Sequence, residues 1–453
     1  LSGPDAHRLA EAVGVPRGRP ARRVTRARLH RPDAAGVPGA PLDDALVTRF
    51  DAPTSFTGED TVEFSVHGGP YAAAALLATL VEGGARPALP GEFTERAFLH
   101  GKLGLLEAEA IADLIEARST ASHQAALCQL DGALTRALDV LRDALLDLEA
   151  LLAYDIDFPE EDDGPVPRAR VLAAATAVER QLEALLATQP QAELGREGVL
   201  VVLAGPPNAG KSSLFNALAG APRAIVSPLP GTTRDAIELL VDDDPLPLRL
   251  VDTAGLRSSD DALEQLGIAV SHARLAAAHV VLACAEDDAT LRALCAEVAA
   301  RSPAVRLAVR TKADLHAPAG DATAETAADT ADARDALPGV SADLDARAVL
   351  RVSAIDGRGL PALRAALRAV ARALLPPRAE SLPLVTRARH VHALTAARAE
   401  VSAFLDAWQA AELPAPVLAT HLRAAVHALD ELLGGIDRDE VIARVFRTFC
   451  VGK

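Results

Sequence analysis

The chain has 453 residues, half of them hydrophobic but only 3% aromatic, with a formal net charge of −16 and a pI of about 5.2. That length exceeds what one hydrophobic core serves and predicts two or three domains, with interiors built from Ala, Leu and Val. The acidic balance excludes a protein held on nucleic acid by phosphate neutralisation alone, and no apolar run reaches the ~20 residues of a membrane span.

The cysteines, Cys128, Cys284, Cys295 and Cys450, form no C-x-x-C pair and have no His at zinc-ligand spacing. A reduced, soluble, cytoplasmic protein is the expectation. The chain opens on Leu1 and contains no Met, so the native start is expected to precede it.

Residues 1–100 mix short β-like runs (45–50, 61–66) with turn residues and one apolar helix (71–81), which predicts a small α+β domain. From 105 to about 152 the period changes. Leu127, Leu130, Leu134, Leu138, Leu141, Leu145, Leu148 and Leu152 recur at steps of three and four, the spacing of one helical stripe. After the break Phe158-Pro159-Glu160-Glu161-Asp162-Asp163-Gly164-Pro165, a second periodic run covers 166–186, and the two read as an antiparallel helical hairpin. A continuous apolar run at 199–204 opens a βαβ-type domain that ends near Leu375, before Pro376-Pro377. Helical stretches at 387–411 and 415–433 and a short tail helix close the chain. Residues 315–348, rich in Ala and Asp, read as a poorly ordered surface insertion.

The predicted fold class is therefore multidomain α/β. It comprises a small α+β N-terminal domain (1–101), a discontinuous α-helical domain (102–197 and 376–453) and an inserted Ras-like P-loop domain (198–375).

Gly205-Pro206-Pro207-Asn208-Ala209-Gly210-Lys211-Ser212 fits G-x-x-x-x-G-K-S/T directly after the apolar run and before the helix-like Leu214-Phe215-Asn216-Ala217-Leu218. Glycines there let backbone N–H groups turn inward around phosphate oxygens at a helix N-terminus. Lys211 should reach the β- and γ-phosphates and Ser212 should offer its hydroxyl to Mg²⁺, with Ser213 beside it. Downstream, Ser227-Pro228-Leu229-Pro230-Gly231-Thr232-Thr233 carries a hydroxyl, at Thr233, to complete the Mg²⁺ shell. The run 248–251 reads as a strand ending in Asp252-Thr253-Ala254-Gly255, where Asp252 would hold Mg²⁺ through water and the Gly255 N–H would face the γ-phosphate. Each tetrapeptide alone is as readily a turn, but in this order and spacing they form a GTPase switch set.

Base choice is expected from Thr311-Lys312-Ala313-Asp314, after the apolar run 305–309. The Asp314 carboxylate can accept from the guanine N1–H and N2–H₂ edge, a pair that adenine lacks. The Lys312 stem would pack on the ring, and Ser353-Ala354 would form the last guanine-contacting loop. Most such GTPases carry Asn where Thr311 stands. Many also place a water-orienting Gln directly after the D-x-x-G glycine, but Leu256 occupies that position, so catalysis needs another polar group and another positive charge.

These motifs and their flanks resemble the tRNA modification GTPase family MnmE (TrmE) nearly end to end. The flanks are Ser55-Phe56-Thr57-Gly58-Glu59-Asp60, His67-Gly68-Gly69-Pro70 and Pro90-Gly91-Glu92-Phe93-Thr94-Glu95-Arg96-Ala97-Phe98-Leu99. Further matches are Glu107-Ala108-Glu109-Ala110-Ile111-Ala112-Asp113-Leu114-Ile115, Asp157-Phe158-Pro159 and Phe449-Cys450-Val451-Gly452-Lys453. The resemblance implies that K⁺ supplies the missing charge, held by Asn208 and by backbone carbonyls at Ser227, Leu229 and Thr232. It implies that Glu264 orients the attacking water; on its own that residue reads as an exposed helix carboxylate. It further implies a reduced folate, 5,10-methylene- or 5-formyl-tetrahydrofolate, bound at a dimer interface of the first domain through Glu63, Lys102 and Lys453. For each of these three alone, a solvated surface charge is the plainer reading. Cys450, read alone a small buried residue, would lie near the folate one-carbon site as a functional thiol. A family arginine and first β-strand would precede Leu1.

The implied role is modification of the wobble uridine of certain tRNAs at C5 with a (carboxymethyl)aminomethyl group, by a homodimer acting with the flavoprotein MnmG (GidA). Two other readings compete with it. A K⁺-dependent GTPase of ribosome assembly usually carries an RNA-binding appendage or a second GTPase module, which this sequence lacks. An idle folate-binding scaffold would not need Lys211, Ser212, Thr233, Asp252 and Glu264 together.

Overall fold

A computed structural model describes residues 1–32, 38–157, 167–220, 237–252, 274–315, 349–375, 383–410 and 413–434. In chain order the elements begin with α1 (Ala6–Ala12), β1 (Thr25–Pro32), β2 (Pro38–Phe50), β3 (Thr61–Ser65), α2 (Pro70–Glu82), α3 (Glu92–Leu99) and α4 (Leu105–Glu116). Next come α5 (Thr120–Leu130), α6 (Ala133–Asp157), α7 (Arg168–Leu186), α8 (Gln189–Glu197), β4 (Val199–Ala204), α9 (Lys211–Ala219), β5 (Ile237–Val241) and β6 (Leu248–Asp252). The described part closes with β7 (Val280–Ala285), α10 (Asp288–Arg301), β8 (Val305–Arg310), β9 (Leu350–Arg351), α11 (Leu360–Leu374), α12 (Ala388–Ala410) and α13 (Ala415–Leu433). Contacts divide the chain into two compact units, Leu1–Ala112 with Gln129–Leu182 and His392–Lys453, and Asp113–Cys128 with Glu183–Val391. The architecture is multidomain α/β with a helical part.

In the first unit β1, β2 and β3 form an antiparallel sheet in that order. Alternation puts Ala27, Leu29, Ala45, Val47 and Val62 on one face, where Leu9 and Ala10 of α1 and Leu76 and Leu80 of α2 cover them. The outer edge of β3 is partnered by the first residues, through an antiparallel bridge between Ser2 and Thr61 and the Val62 N–H donating to the Leu1 carbonyl at 2.9 Å. Glu92, which opens α3, is pinned by Arg86 at 2.5 Å, Arg96 at 2.6 Å and the Leu89 amide at 2.8 Å. The Arg86 pairing above all holds its carboxyl down at about 2.

The leucine stripe is real but starts later than the spacing predicts. Leu134, Leu138, Leu141, Leu145, Leu148 and Leu152 are all at most 1% exposed, whereas Leu127 is 40% exposed. Gly132 takes a left-handed φ of 78° between α5 and α6, so the helical register that linked Leu127 to the rest is broken there. The stripe is covered mainly by α13, whose Leu418, Leu422, Leu429 and Leu432 are buried. Arg142 pairs with Asp430 at 2.6 Å and Glu149 with Arg423 at 2.5 Å, so the two helices run antiparallel. Arg168, opening α7, lies over the Trp408 ring at 4.5 Å.

The second unit is built on a six-stranded sheet of order β5-β6-β4-β7-β8-β9, with only β5 antiparallel to its neighbour. All six residues of β4 are buried, because helices close both faces, as a parallel strand's continuous apolar run requires. Val199, Val201 and Leu203 pack with Leu214, Phe215 and Leu218 of α9 and Leu363 and Leu367 of α11. Leu200, Val202 and Ala204 face the opposite cluster with Val298 of α10. Among the described residues, no helix is long and apolar enough to cross a membrane.

Candidate nucleotide-binding site

Parallel pairing aligns the carboxyl ends of β4, β6, β7, β8 and β9 along one edge of the sheet. Open α/β sheets bind ligands at such an edge. Gly205 follows β4, Asp252 ends β6, Glu286 follows β7, Thr311 follows β8 and Ser353 follows β9 by one residue. The topology thus gathers the phosphate, metal and base signals that lie far apart in the sequence.

The phosphate loop can turn only because of its glycines. A Cβ on Gly205 would fall 2.2 Å from the Cys284 carbonyl oxygen, so the chain passes β7 with no room for a side chain. Gly210 caps α9 with a φ of 78°, and Asn208 is left-handed as well, at 63°. Alternation into left-handed backbone turns amides toward a common centre, the arrangement that receives anions. Lys211 is 6% exposed and its Nζ donates to the Gly205 and Pro206 carbonyls at 2.9 and 2.7 Å, which stretches it along the loop.

At the first turn of α9, the Ser212 hydroxyl donates to Asp252 Oδ2 at 2.7 Å. Asp252 itself is 2% exposed, while Ser212 faces solvent. A hydroxyl and a carboxylate meeting in this way offer hard oxygen ligands of the kind Mg²⁺ takes, so the residues present fit that ion. Below the loop, burial pushes the Cys284 thiol up to about 12, so it stays protonated and packs as a small apolar group.

The base-side loop is tied to the phosphate loop by Thr311. Its hydroxyl, buried with the rest of the side chain, donates to the Ala209 carbonyl at 2.7 Å and lies 3.3 Å from that of Ala285, which already accepts the Thr311 amide at 2.9 Å. The residue that departs from the usual Asn therefore supports the loop. Lys312 has a left-handed φ of 55°, and its Nζ donates to Glu286 Oε1 at 2.5 Å. Asp314 lies half-buried in the short 3-10 turn Ala313–Leu315, which the Ala313 amide fastens to the Val352 carbonyl at 3.2 Å. Ser353, fully buried, accepts from the amides of Ile355 and Asp356 at 3.3 Å each and so shapes the loop that carries Ala354.

Ala209, Gly210, Lys211, Ser212, Ser213, Asp252, Thr311, Lys312, Asp314, Ser353 and Ala354 are thus assigned to elements meeting at one edge, with Asn208 exposed on the loop. Ser227, Pro228, Leu229, Pro230, Gly231, Thr232, Thr233, Thr253, Ala254, Gly255, Leu256, Glu264, Cys450 and Lys453 lie outside the described residues, as does the 316–348 stretch. In the first unit Glu63 is exposed on β3, opposite Thr48 of β2. Lys102 is exposed too, and its Nζ donates to the Pro53 carbonyl at 2.9 Å. Sequence reasoning missed Glu286; its place directly after an apolar run, like Gly205 and Thr311, was the available signal.

Known proteins are similar in sequence along nearly the whole chain. The family model for the MnmE helical domain matches residues 105–450, and the model for the GTP-binding protein TrmE N-terminus matches residues 1–102. The tRNA modification GTPase MnmE of Laribacter hongkongensis is 42% identical over 425 residues, covering 93% of this chain and 89% of its own. Its counterpart in Acidiphilium cryptum is 42% identical over 448 residues, covering 98% and 93%. That of Symbiobacterium thermophilum is 39% identical over 462 residues, covering 100% and 95%.

Proposed function

The chain belongs to the MnmE (TrmE) family of tRNA modification GTPases, and from that premise we propose that it hydrolyses GTP to drive modification of tRNA wobble uridines. The observation that carries the nucleotide reading is the Ser212–Asp252 pair at 2.7 Å beside a glycine-turned loop at the head of α9. The proposed domains are 1–101 for folate, 102–197 with 376–453 as the helical domain, and 198–375 for GTP.

In this reading the loop amides and Lys211 hold the phosphates, and Ser212, Thr233 and Asp252 hold Mg²⁺. Bound Mg²⁺ supplies positive charge to the phosphate oxygens as negative charge shifts onto them. Asp314 reads the guanine edge, with Lys312 against the ring and Thr311 keeping the two loops in register. Asn208, with the carbonyls of Ser227, Leu229 and Thr232, holds K⁺ where no arginine arrives, and Glu264 orients the water. Glu63, Lys102 and Lys453 bind the reduced folate in a homodimer, near Cys450. The flavoprotein MnmG (GidA) and tRNA are the partners, the folate one-carbon unit going to uridine C5 as part of a (carboxymethyl)aminomethyl group.

Mass spectrometry of wobble uridines from cells lacking the gene tests the biological half. Loss of the C5-modified nucleoside, restored by the wild-type gene and not by a Lys211→Ala copy, is the expected result. An unaltered nucleoside profile would overturn it and leave the hydrolase standing.

A further inference from the structure

Lys312 is held in place before any base could reach it. Its backbone sits in the left-handed region, at φ 55°, where a side chain with a Cβ persists only if its surroundings fix it. Those surroundings are plain: the Thr311 amide donates to the Ala285 carbonyl at 2.9 Å, and the Ala313 amide to that of Val352 at 3.2 Å. At the far end of the side chain, the ammonium donates to Glu286 Oε1 at 2.5 Å. Glu286 is anchored in turn, because Arg310 Nε donates to its carbonyl at 3.1 Å and it directly follows β7. Both ends of the four-methylene stem are therefore fixed to one rigid frame.

We propose that Glu286 is a positioning residue for the nucleotide base, holding the Lys312 stem as a preset apolar shelf. The inference rests on the guanine-nucleotide reading of this site. A free lysine carries as much rotamer freedom as any side chain, and that freedom is lost when the stem packs on a ring. Glu286 removes part of it beforehand, so less is lost on binding. The pair is one-third to one-half exposed, at 35% and 45%, so its contribution is that of a surface ion pair and is screened by salt. A shelf acts on the ring face and ignores the ring edge. It should therefore aid every purine nucleotide alike, while Asp314 alone separates guanine from bases lacking the 2-amino group.

The test measures dissociation constants for GDP and IDP, with Mg²⁺, on the full chain. It compares wild type, Glu286→Ala, Lys312→Met (which keeps an apolar stem without the charge) and the double variant. Glu286→Ala should weaken GDP and IDP by the same factor, about threefold at low salt. The loss should shrink in high salt and disappear in the Lys312→Met background. A general disturbance of the loop would instead move Asp314 and change the GDP-to-IDP ratio. Unchanged affinity, a changed ratio, or an equal loss in the Lys312→Met background each overturn the proposal while leaving a guanine-nucleotide site intact. A wild-type chain that binds no GDP removes the reading beneath it.

Discussion

Replacing Thr311 by Val keeps the shape of a side chain that is 4% exposed and deletes one donor, the hydroxyl that reaches the Ala209 carbonyl at 2.7 Å. The hydroxyl has a single proton, so the 3.3 Å approach to Ala285 adds nothing further, and that carbonyl keeps the Thr311 amide. One net hydrogen bond is worth about 1 kcal/mol, and leaving a buried carbonyl without its donor raises the cost to roughly 1–3 kcal/mol. For a folding unit of this size that corresponds to a fall in melting temperature of roughly 2–12 °C. Thr311→Ser keeps the donor and loses one methyl, about 0.8 kcal/mol, and should fall between the two. The assay is thermal unfolding with and without GDP, reading the transition that GDP shifts, since that transition belongs to the nucleotide-binding unit. Thr311→Val should also weaken GDP binding, because the phosphate and base loops lose their direct tie, and Thr311→Ser should restore most of the affinity. A Thr311→Val protein that melts and binds GDP like wild type would refute this account of the substituted position.

Two other outcomes follow from the packing. Gly205→Ala would place a Cβ 2.2 Å from a backbone carbonyl oxygen that cannot move without disturbing β7, so nucleotide binding should be abolished in a titration that wild type passes. Glu92→Gln removes the charge to which Arg86 and Arg96 donate and should cost the first unit about 1.5–3 kcal/mol at neutral pH by urea unfolding. Its carboxyl is held at about 2, against 4.5 for a free one, so this stability is full above about 4.5 and fades as pH falls toward 2. The wild-type and variant urea curves should therefore converge across that acid window, and a constant gap would contradict the assignment.

What could be read from the sequence alone divides along the range of the interactions. β4, the phosphate loop and α9 are contiguous, and their chemistry is local: an apolar run, glycines, a lysine and a hydroxyl. The base motif at 311–314 is contiguous too and falls directly after β8, whereas all of the switch motif but Asp252 lies outside the described residues. The tie between Thr311 and Ala209 spans 102 residues, and no local pattern announces it. The stripe from Leu134 to Leu152 was legible as a helix face, but its cover, α13, lies at the other end of the chain. Leu127 fits the period and still points outward, because one left-handed glycine resets the register. β1 escaped notice for a different reason. Only Ala27 and Leu29 turn inward, among Arg26, Arg28, His30 and Arg31, so its two-residue alternation is faint against so many charges.

The most direct test of the central claim is phosphate release by the purified chain, with GTP or ATP as substrate, in Mg²⁺ with either K⁺ or Na⁺. The account predicts turnover of GTP and not of ATP, much faster in K⁺ than in Na⁺, and lost in Lys211→Ala. Equal turnover of the two nucleotides would contradict the base-reading assignment. Equal rates in the two salts would contradict the role of Asn208, and no turnover of GTP at all would contradict the site itself.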